Sequence, residues 1–214
     1  IFGGKTIRIS NGIDFDAIPL KQNRNNTSHE LHLIGVAEVH YWHGFDRLVN
    51  GLAEYYRTNP DYKVYFHIVG PLTGEREQGE ILPVIRDNHL EPYVILHGPL
   101  HSEELDAQFE KADFAIGSLG RHRSGIAHIK TLKNREYAAR GLAFTYSEND
   151  DDFDSAPYVW KAPADESPVD IMGLVEFQRA LTMTPLEIRE SVYPLSWKAQ
   201  MQKVIKEAGF GSLE

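Results

Sequence analysis

Short apolar runs alternate with helix-like patterns along nearly the whole chain, and this alternation restricts the possible folds more than any other feature. Several of the runs are almost continuously apolar, which is typical of parallel strands buried on both faces. The pattern predicts seven strands, at residues 6–10, 31–36, 63–69, 93–96, 113–116, 142–146 and 158–160. Strands and helices that alternate with short connections predict an α/β fold with a doubly wound parallel sheet and right-handed crossovers.

The segments between the predicted strands have the spacing and the end signals of helices. Apolar residues recur at helical spacing from 45 to 56 and define one buried stripe. A second stripe at 105–112 predicts a helix with Ser102 as its N-cap. A third helix is predicted over residues 75–88, interrupted or bent at Pro83.

The last part of the chain carries several helix-start signals. Ser167 and Thr184 each precede a proline and lie three residues before an acid, which is the pattern of a capping box. Ser196 is predicted to cap a final helix that ends at Gly209. The polar stretch 21–30 is predicted to be a surface loop.

Composition limits the function classes. With 214 residues we expect a single domain over 1–214, and the absence of cysteine excludes disulfides, thiolate metal ligands and cysteine nucleophiles. A net charge of −9 argues against nucleic-acid binding, because a basic face supplies most of that affinity. The first residues show no signal-peptide pattern, and no apolar run approaches the roughly 20 residues that span a bilayer. We therefore expect a cytoplasmic location.

One segment inverts the charge of this acidic chain. It follows the strand predicted at 113–116 and runs into a helix predicted to start near Thr131, and Glu136 is its only acid. A helix N-terminus flanked by basic side chains is a site for phosphate, beyond the carboxyl ends of the strands. The alternative is a solvated helix face. The basic residues are Arg121, His122, Arg123, His128, Lys130, Lys133, Arg135 and Arg140.

A second candidate loop follows the strand predicted at 31–36. Gly35 and Gly44 would let the backbone approach a ligand closely, and His43 would point at a phosphate or a sugar. The alternative is that Trp42 packs on the sheet edge and that His43 caps the following helix.

Three weaker patterns are set aside. His40 with His43, and His97 with His101, have metal-ligand spacing, but no further ligands accompany them and no metal site is predicted. The acidic run 148–154 lacks the glycine and the final glutamate of an EF-hand, and we expect it to be a solvated loop. The stretch 70–74 matches neither a dinucleotide fingerprint nor a P-loop.

Several segments, in order along the chain, together resemble the C-terminal domain of group 1 (family 4) GT-B glycosyltransferases. They are residues 9–14, 33–35, 43–46, 66–70, 94–100, 112–118 and 132–141. The resemblance implies a Rossmann-like doubly wound sheet, the C-terminal half of a GT-B fold. It implies a hexosyltransferase that binds a nucleoside-diphosphate sugar and transfers the sugar with retention, without metal or cofactor, to a glycan or lipid-linked acceptor.

The resemblance also implies a partner domain and a set of site residues. The helices at 184–214 would pack towards an N-terminal acceptor-binding domain, without which the fragment is expected to be inactive, and through which it would associate with the inner face of a membrane. The predicted catalytic residues are His128 and Lys133, and the predicted substrate-binding residues are Gly35, Trp42, His43, Gly44, Gly70, Gly98, Pro99, Leu100, Arg123, Lys130, Leu132, Arg135 and Glu136.

The chain departs from the family pattern at three positions. Val36 stands where the family has an arginine, His43 where it has a lysine, and His128 where it has the first of two glutamates. We hypothesise that Arg123, Lys130 or Lys133 replaces the missing phosphate-binding cations. Two alternatives stay open, a GT-B-like sugar-nucleotide epimerase and a nucleotide-binding module that has lost catalysis.

Overall fold

The computed structural model describes residues 6–22 and 29–209 and contains one six-stranded sheet of order β3-β2-β1-β4-β5-β6. Every neighbouring pair of strands is parallel, so the predicted α/β fold with a doubly wound parallel sheet is confirmed. The strands are β1 (Glu30–Val36), β2 (Lys63–Val69), β3 (Val94–Gly98), β4 (Phe114–Ile116), β5 (Ala143–Tyr146) and β6 (Val159–Lys161).

Seven α-helices lie in the described part of the chain: α1 (Phe45–Arg57), α2 (Glu75–Asp87), α3 (Ser102–Lys111), α4 (Leu132–Ala139), α5 (Ile171–Ala180), α6 (Pro185–Ser191) and α7 (Trp197–Ala208). Short 3-10 turns occur at Tyr41–His43, Arg121–Ser124 and Tyr193–Leu195. Residues of β4 and β5 are all buried, whereas Leu96 in the edge strand β3 is 45% exposed. The core therefore follows the centre of the sheet.

The order of the strands creates a crevice next to β1. The chain proceeds outward from β1 through β2 to β3, returns to β4 on the other side of β1, and then proceeds outward to β6. In such sheets ligands bind at the carboxyl ends of the strands where this reversal occurs. The segments that follow β1 and β4 are therefore the ones that the topology brings to a binding position.

Four predicted helix ends are confirmed, namely the helix start near Thr131, the starts at Thr184 and Ser196, and the end at Gly209. The Thr131 and Ser196 hydroxyls cap α4 and α7, accepting hydrogen bonds from Asn134 N–H and Ala199 N–H. Thr184 forms the predicted capping box at the start of α6, and Gly209 ends α7 in the left-handed conformation. The helix containing Pro83 is not interrupted there, because α2 continues to Asp87.

Three predictions about local structure are wrong. Residues 6–10 are not a strand, since Ser10 N–H donates to Gln200 Oε1 and the segment finds its partners beside α7 instead of in the sheet. Ser102 does not cap α3 but is its first residue, after His101. Ser167 does not start α5, which begins at Ile171 with Asp170 as its N-cap. The Ser167 hydroxyl donates to Asp165 instead.

Parts of two expectations fall outside the described residues. They are residues 1–5 and 210–214 of the predicted single domain, the latter also the end of the predicted segment 184–214, and residues 23–28 of the predicted surface loop. At the start of that loop Lys21 is buried, and its backbone N–H donates to Arg140 O at 2.9 Å.

Candidate anion-binding site

The segments that follow β1, β4 and β5 are joined by backbone hydrogen bonds. Leu119 N–H donates to His43 O at 2.9 Å, which ties the β4 segment to the β1 segment. Ser147 N–H donates to Ser118 O at 2.9 Å, which ties the β5 segment to the β4 segment. Side chains from three separate parts of the sequence are thereby held at one edge of the sheet.

The glycines of the β1 segment permit this close approach. Gly44 has a φ of 65°, and a Cβ there would lie 2.7 Å from the Leu119 carbonyl carbon. A Cβ on Gly35 would lie 2.7 Å from the Phe45 ring. Both positions therefore require glycine for packing within the chain, and their predicted contact with a ligand stays a prediction.

His43 is a buried, neutral hydrogen-bond donor. Its Nδ1 accepts the His40 backbone N–H at 3.0 Å, so the proton of the neutral ring is on Nε2. Burial, followed by the charges of Lys133 and Arg121, lowers the pKa of His43 to about 2. The ring therefore presents Nε2–H at neutral pH.

Lys133 and Arg121 are the cations next to His43. Lys133 lies in the first turn of α4 and has no hydrogen bond or ion pair with any described residue. Burial, followed by the charge of Arg121, lowers its pKa to about 8. Arg121 lies 5.6 Å from the Trp42 ring centroid, and its Nε is 3.3 Å from Ser118 Oγ. We call His43, Arg121 and Lys133 the donor cluster.

The N-terminus of α4 strengthens the positive potential at the donor cluster. The first backbone N–H groups of a helix have no partner within the helix, and its dipole favours an anion at that end. Thr131 Oγ1 accepts the Asn134 N–H at 3.3 Å and so fixes where α4 begins. Lys133 is the second residue of this helix. The site can therefore bind an anion through side chains and helix together.

The other cations of the basic segment are engaged by carboxylates of the chain itself. Arg123 pairs with Asp46 at 2.7 Å and with Glu166 at 2.5 Å. The hydrogen bond from Arg123 is the main reason why the pKa of Glu166 is lowered to about 2. Lys130 lies 2.9 Å from Asp152. Further pairs are His122 with Glu166, Arg135 with Asp150 and Asp152, and Arg140 with Asp106 and Glu136.

The acidic run 148–154 is only in part the solvated loop that the sequence predicts: Asn149, Asp151 and Asp154 are exposed, but the other four residues are buried or partly buried. The Asp150 carboxylate is buried and accepts from Arg135 at 3.0 Å, and Asp152 accepts from Lys130, Arg135 and Ser10. Asp154 accepts from the Tyr146 hydroxyl at 2.7 Å and from Lys161 at 2.8 Å. Its carboxylates therefore neutralise cations of the basic segment and of β6.

Glu148 is a site residue that the sequence did not single out. It is 2% exposed, and neither of its carboxylate oxygens has a hydrogen-bond partner among the described residues. Burial raises its pKa to about 7, against smaller opposite effects of nearby backbone N–H groups, Arg121 and Lys161. Its position directly after β5, at the end of a parallel strand, was the only signal that sequence offered.

The remaining predicted residues lie in different surroundings. His128 is exposed, bridges to Asn149 and lines a cavity of about 70 Å³ with Arg8 and Lys130. Glu136 pairs with Arg140 at 3.0 Å, and Leu132 is 65% exposed at the start of α4. The predicted catalytic residues His128 and Lys133 thus have different neighbours.

Gly70 and Gly98 form a connection after β2 and β3. Gly70 N–H donates to Gly98 O at 2.7 Å, and both residues have positive φ. A Cβ on Gly70 would meet Ala37 O, whereas none of the described atoms lies within 4 Å of a Cβ on Gly98. Gly98 is therefore open towards the side where Pro99 is exposed and Leu100 partly buried.

His97 does not combine with His101 as a metal-ligand pair would. Its Nε2 lies 2.9 Å from His67 Nδ1, and His67 Nε2 lies 3.0 Å from His32 Nδ1, so that a row of imidazoles crosses β1, β2 and β3. Across residues 6–22 and 29–209, no group of three or more His, Asp or Glu side chains is arranged to hold a metal ion. Nor does any helix in those ranges have the length and apolar character needed to span a membrane.

Comparison with known proteins finds similar folds but no sequence relative. No family model matches the chain, and no curated protein sequence matches it. A sucrose-phosphate synthase from Thermosynechococcus elongatus has 15% identity and a TM-score of 0.67 over 94% of this chain and 52% of that one. HepE from Anabaena, solved with UDP and glucose, has 14% identity and a TM-score of 0.64 over 93% of this chain and 55% of its own.

One similar structure has nearly the same extent as this chain. It is the C-terminal domain of a group 1 glycosyl transferase, LpcC, from Francisella tularensis, with 14% identity and a TM-score of 0.61 over 86% of this chain and 96% of that one. The chain spans about half the length of the two larger structures that it matches. These likenesses show that the fold is the Rossmann-like fold of GT-B glycosyltransferase C-terminal domains.

Proposed function

We propose that this chain is the donor-binding domain of a group 1 GT-B glycosyltransferase and that it binds a nucleoside-diphosphate sugar. The observation that carries the proposal is the donor cluster. Lys133 is partly buried and forms no hydrogen bond or ion pair with a described residue, and it lies beside the Nε2–H of neutral His43 and the Arg121 guanidinium. A cluster of two cations and a neutral donor at a helix N-terminus matches a diphosphate.

The same arrangement supports the chemistry of glycosyl transfer. When the anomeric C–O bond breaks, negative charge develops on the diphosphate that leaves. Donors that are already in place stabilise this charge without reorganisation. Lys133, Arg121 and His43 supply a cation, a planar guanidinium and a neutral donor, so we assign them to the diphosphate, and no metal is required for that role.

Arg123, Lys130 and Arg135 have an indirect role in this proposal. Their charges are balanced by carboxylates, so they hold the segments after β1, β4 and β5 in place instead of contacting phosphate. Glu136 is assigned to the ribose hydroxyls, and the backbone at Gly70 and 98–100 to the base. His128 is assigned to the neighbourhood of the transferred sugar.

The proposal extends to the reaction of the whole enzyme and to a second domain. We propose a retaining hexosyltransferase of family 4 in which residues 1–214 form one domain and a separate N-terminal domain holds a glycan or lipid-linked acceptor. Tyr193, Trp197 and Met201 are exposed at helical spacing on the last turn and helix, and they are apolar. We assign this stripe to contact with the acceptor domain, in a cytoplasmic enzyme that works at the inner face of a membrane.

Ligand titration tests the proposal directly. UDP, GDP, ADP, CMP and their sugar conjugates are titrated against the chain by calorimetry, with thermal unfolding as a second readout. A ligand at a hundred times its Kd should stabilise the fold by about 2.7 kcal/mol. We expect selective binding of one diphosphate family, weakened about 10- to 100-fold by Lys133→Ala, because a charge-assisted hydrogen bond is lost.

The matched control is Lys198→Ala, which removes the same charge from an exposed position on α7. It should leave the affinity unchanged. Equal affinity of Lys133→Ala and the unaltered chain, or no binding of any member of the panel, would contradict the proposed site.

A further inference from the structure

Glu148 is a buried acid that shares the candidate site with the donor cluster. Ser118 lies between the two: its carbonyl accepts from Ser147 N–H at 2.9 Å, and its hydroxyl lies 3.3 Å from Arg121 Nε. Glu148 directly follows Ser147 and is buried. Glu148 and the Arg121 guanidinium therefore both lie next to Ser118.

The groups around Glu148 come from four elements. They are Arg121 after β4, Lys133 on α4, Tyr146 on β5 and Lys161 on β6. Lys161 is already paired with Asp154, at 2.8 Å, and the Tyr146 hydroxyl donates to the same carboxylate. Within the described ranges, the cations left without a carboxylate partner around Glu148 are thus Arg121 and Lys133, which are those of the donor cluster.

This arrangement is unusual for a buried acid. Buried charges are normally paired and hydrogen-bonded, because an unpaired charge in the interior is costly. Both carboxylate oxygens of Glu148 lack a hydrogen-bond partner among the described residues, although two cations stand close by. Glu148 therefore balances the donor cluster electrostatically without being committed to it by a hydrogen bond.

We propose that the site binds its diphosphate together with a proton, and that Glu148 takes this proton. The inference rests on the proposed function, since it requires that the donor cluster holds a diphosphate. Glu148 is a positioning residue in this account: when ionised it competes with the ligand for the cations, and when protonated it leaves them to the ligand.

The direction of the effect follows from simple electrostatics. A diphosphate brings negative charge next to Glu148, and a like charge raises the pKa of a carboxyl group. Burial raises the pKa of Glu148 to about 7, so near neutral pH the carboxyl is partly ionised and must gain a proton when the diphosphate binds. By linkage, the affinity for the diphosphate then falls as the pH rises through 7. The pKa of His43 is about 2, so that ring stays neutral throughout.

The test is calorimetric titration with UDP-glucose, or with the nucleoside-diphosphate sugar of the panel that binds most tightly, in two buffers of different ionisation enthalpy. The diphosphate diester of such a ligand does not titrate near neutral pH. We expect uptake on the order of half a proton per ligand at pH 7, and affinity about tenfold weaker at pH 8 than at pH 6. Lys133 has a pKa of about 8 and is therefore mostly protonated at pH 7, so it contributes only a small part of the proton uptake at that pH.

Glu148→Gln and Glu190→Gln provide the comparison. The amide side chain in Glu148→Gln cannot ionise, so this variant should take up almost no proton at pH 7 and bind at pH 8 nearly as tightly as the unaltered chain binds at pH 6. Glu190→Gln, an exposed change on α6, should keep the full uptake. The measurement on the unaltered chain needs no variant and stands even if Glu148→Gln is poorly folded.

The outcomes separate the two proposals. Binding without proton uptake by the unaltered chain overturns the role of Glu148 and leaves the donor-binding function standing. A Glu148→Gln variant that folds but binds more weakly at every pH also overturns it, because the carboxylate would then be contacting the ligand. If no member of the panel binds, the proposed function fails and this inference fails with it.

Discussion

Arg135 and Asp150 show how single residues decide which charges the site can use. The two side chains are 2% and 0% exposed and lie 3.0 Å apart. Arg135 also pairs with Asp152 and donates to Thr131 O at 2.8 Å, at the start of α4. Because this guanidinium is satisfied within the chain, it orients the start of α4, whereas Lys133, two residues earlier, forms no hydrogen bond or ion pair with a described residue.

Removing one partner of this pair should destabilise the fold strongly. In Asp150→Ala the Arg135 charge would stay buried with fewer acceptors, and breaking a buried ion pair costs about 3–5 kcal/mol. The free energy of unfolding from urea denaturation measures the loss. Asp151→Ala, one residue along, is the control, because the Asp151 side chain is 65% exposed. Similar losses in the two variants would show that the buried pair has no special role.

At the scale of elements, α1 holds the segment after β4 in place. Arg47 is buried in this helix, donates to Leu119 O, and donates to Ser167 O at 2.8 Å. Val169 N–H donates to Arg47 O at 3.1 Å, so the stretch before α5 lies directly on the helix. The helix therefore connects both sides of the crevice to the core.

Two glycine-to-alanine changes test this packing, with opposite expected signs. A Cβ on Gly51 would lie 2.1 Å from Val169 O, so Gly51→Ala must push a backbone segment away and should destabilise by at least about 2 kcal/mol. Gly79 lies in α2 with none of the described atoms within 4 Å of a Cβ, and Gly79→Ala should stabilise by about 0.5–1 kcal/mol. Thermal and urea unfolding measure the expected loss of stability in Gly51→Ala and the expected gain in Gly79→Ala. A neutral Gly51→Ala would contradict the close contact.

At the scale of the whole molecule, the first described residues are hydrogen-bonded to the last elements of the chain. Ile13 N–H donates to Leu195 O at 2.8 Å, and Trp197 N–H donates to Ile13 O at 3.1 Å. Arg189 on α6 donates to three carbonyls, Phe15 O, Ile18 O and Ala139 O, and lies 5.0 Å from the Phe15 ring. The two ends of the described chain therefore depend on the same interactions.

Arg189→Ala should loosen both ends together. Three carbonyl oxygens lose a charged donor, and we expect a loss of about 2–3 kcal/mol in the free energy of unfolding. Hydrogen exchange should show reduced protection in 13–18 and in 185–197 at once, with the centre of the sheet unaffected. Arg86→Ala, at an exposed position on α2, serves as the reference and should change neither the free energy of unfolding nor the exchange protection of these two segments. Reduced protection in only one of the two segments would contradict the conclusion that Arg189 stabilises both ends.

Much of the fold was determined by the sequence alone, because its signals are local. The apolar runs that became β1 to β6, and the caps at Thr131, Thr184 and Ser196, depend on residues within one turn or one strand. The excess of positive charge at the start of α4, from which we predict anion binding, was visible in the same way.

Only the tertiary structure decided which of those charges are available and where the sheet reverses. Arg123 meets Asp46 across 77 residues of sequence, and residues 6–10 lie beside α7 instead of forming a strand. Glu148 belongs to a run that looked solvated, yet it is buried among cations of other elements. Ion pairing and desolvation depend on neighbours that are distant in sequence, so periodicity and spacing predict the elements but not the charges that they bring together.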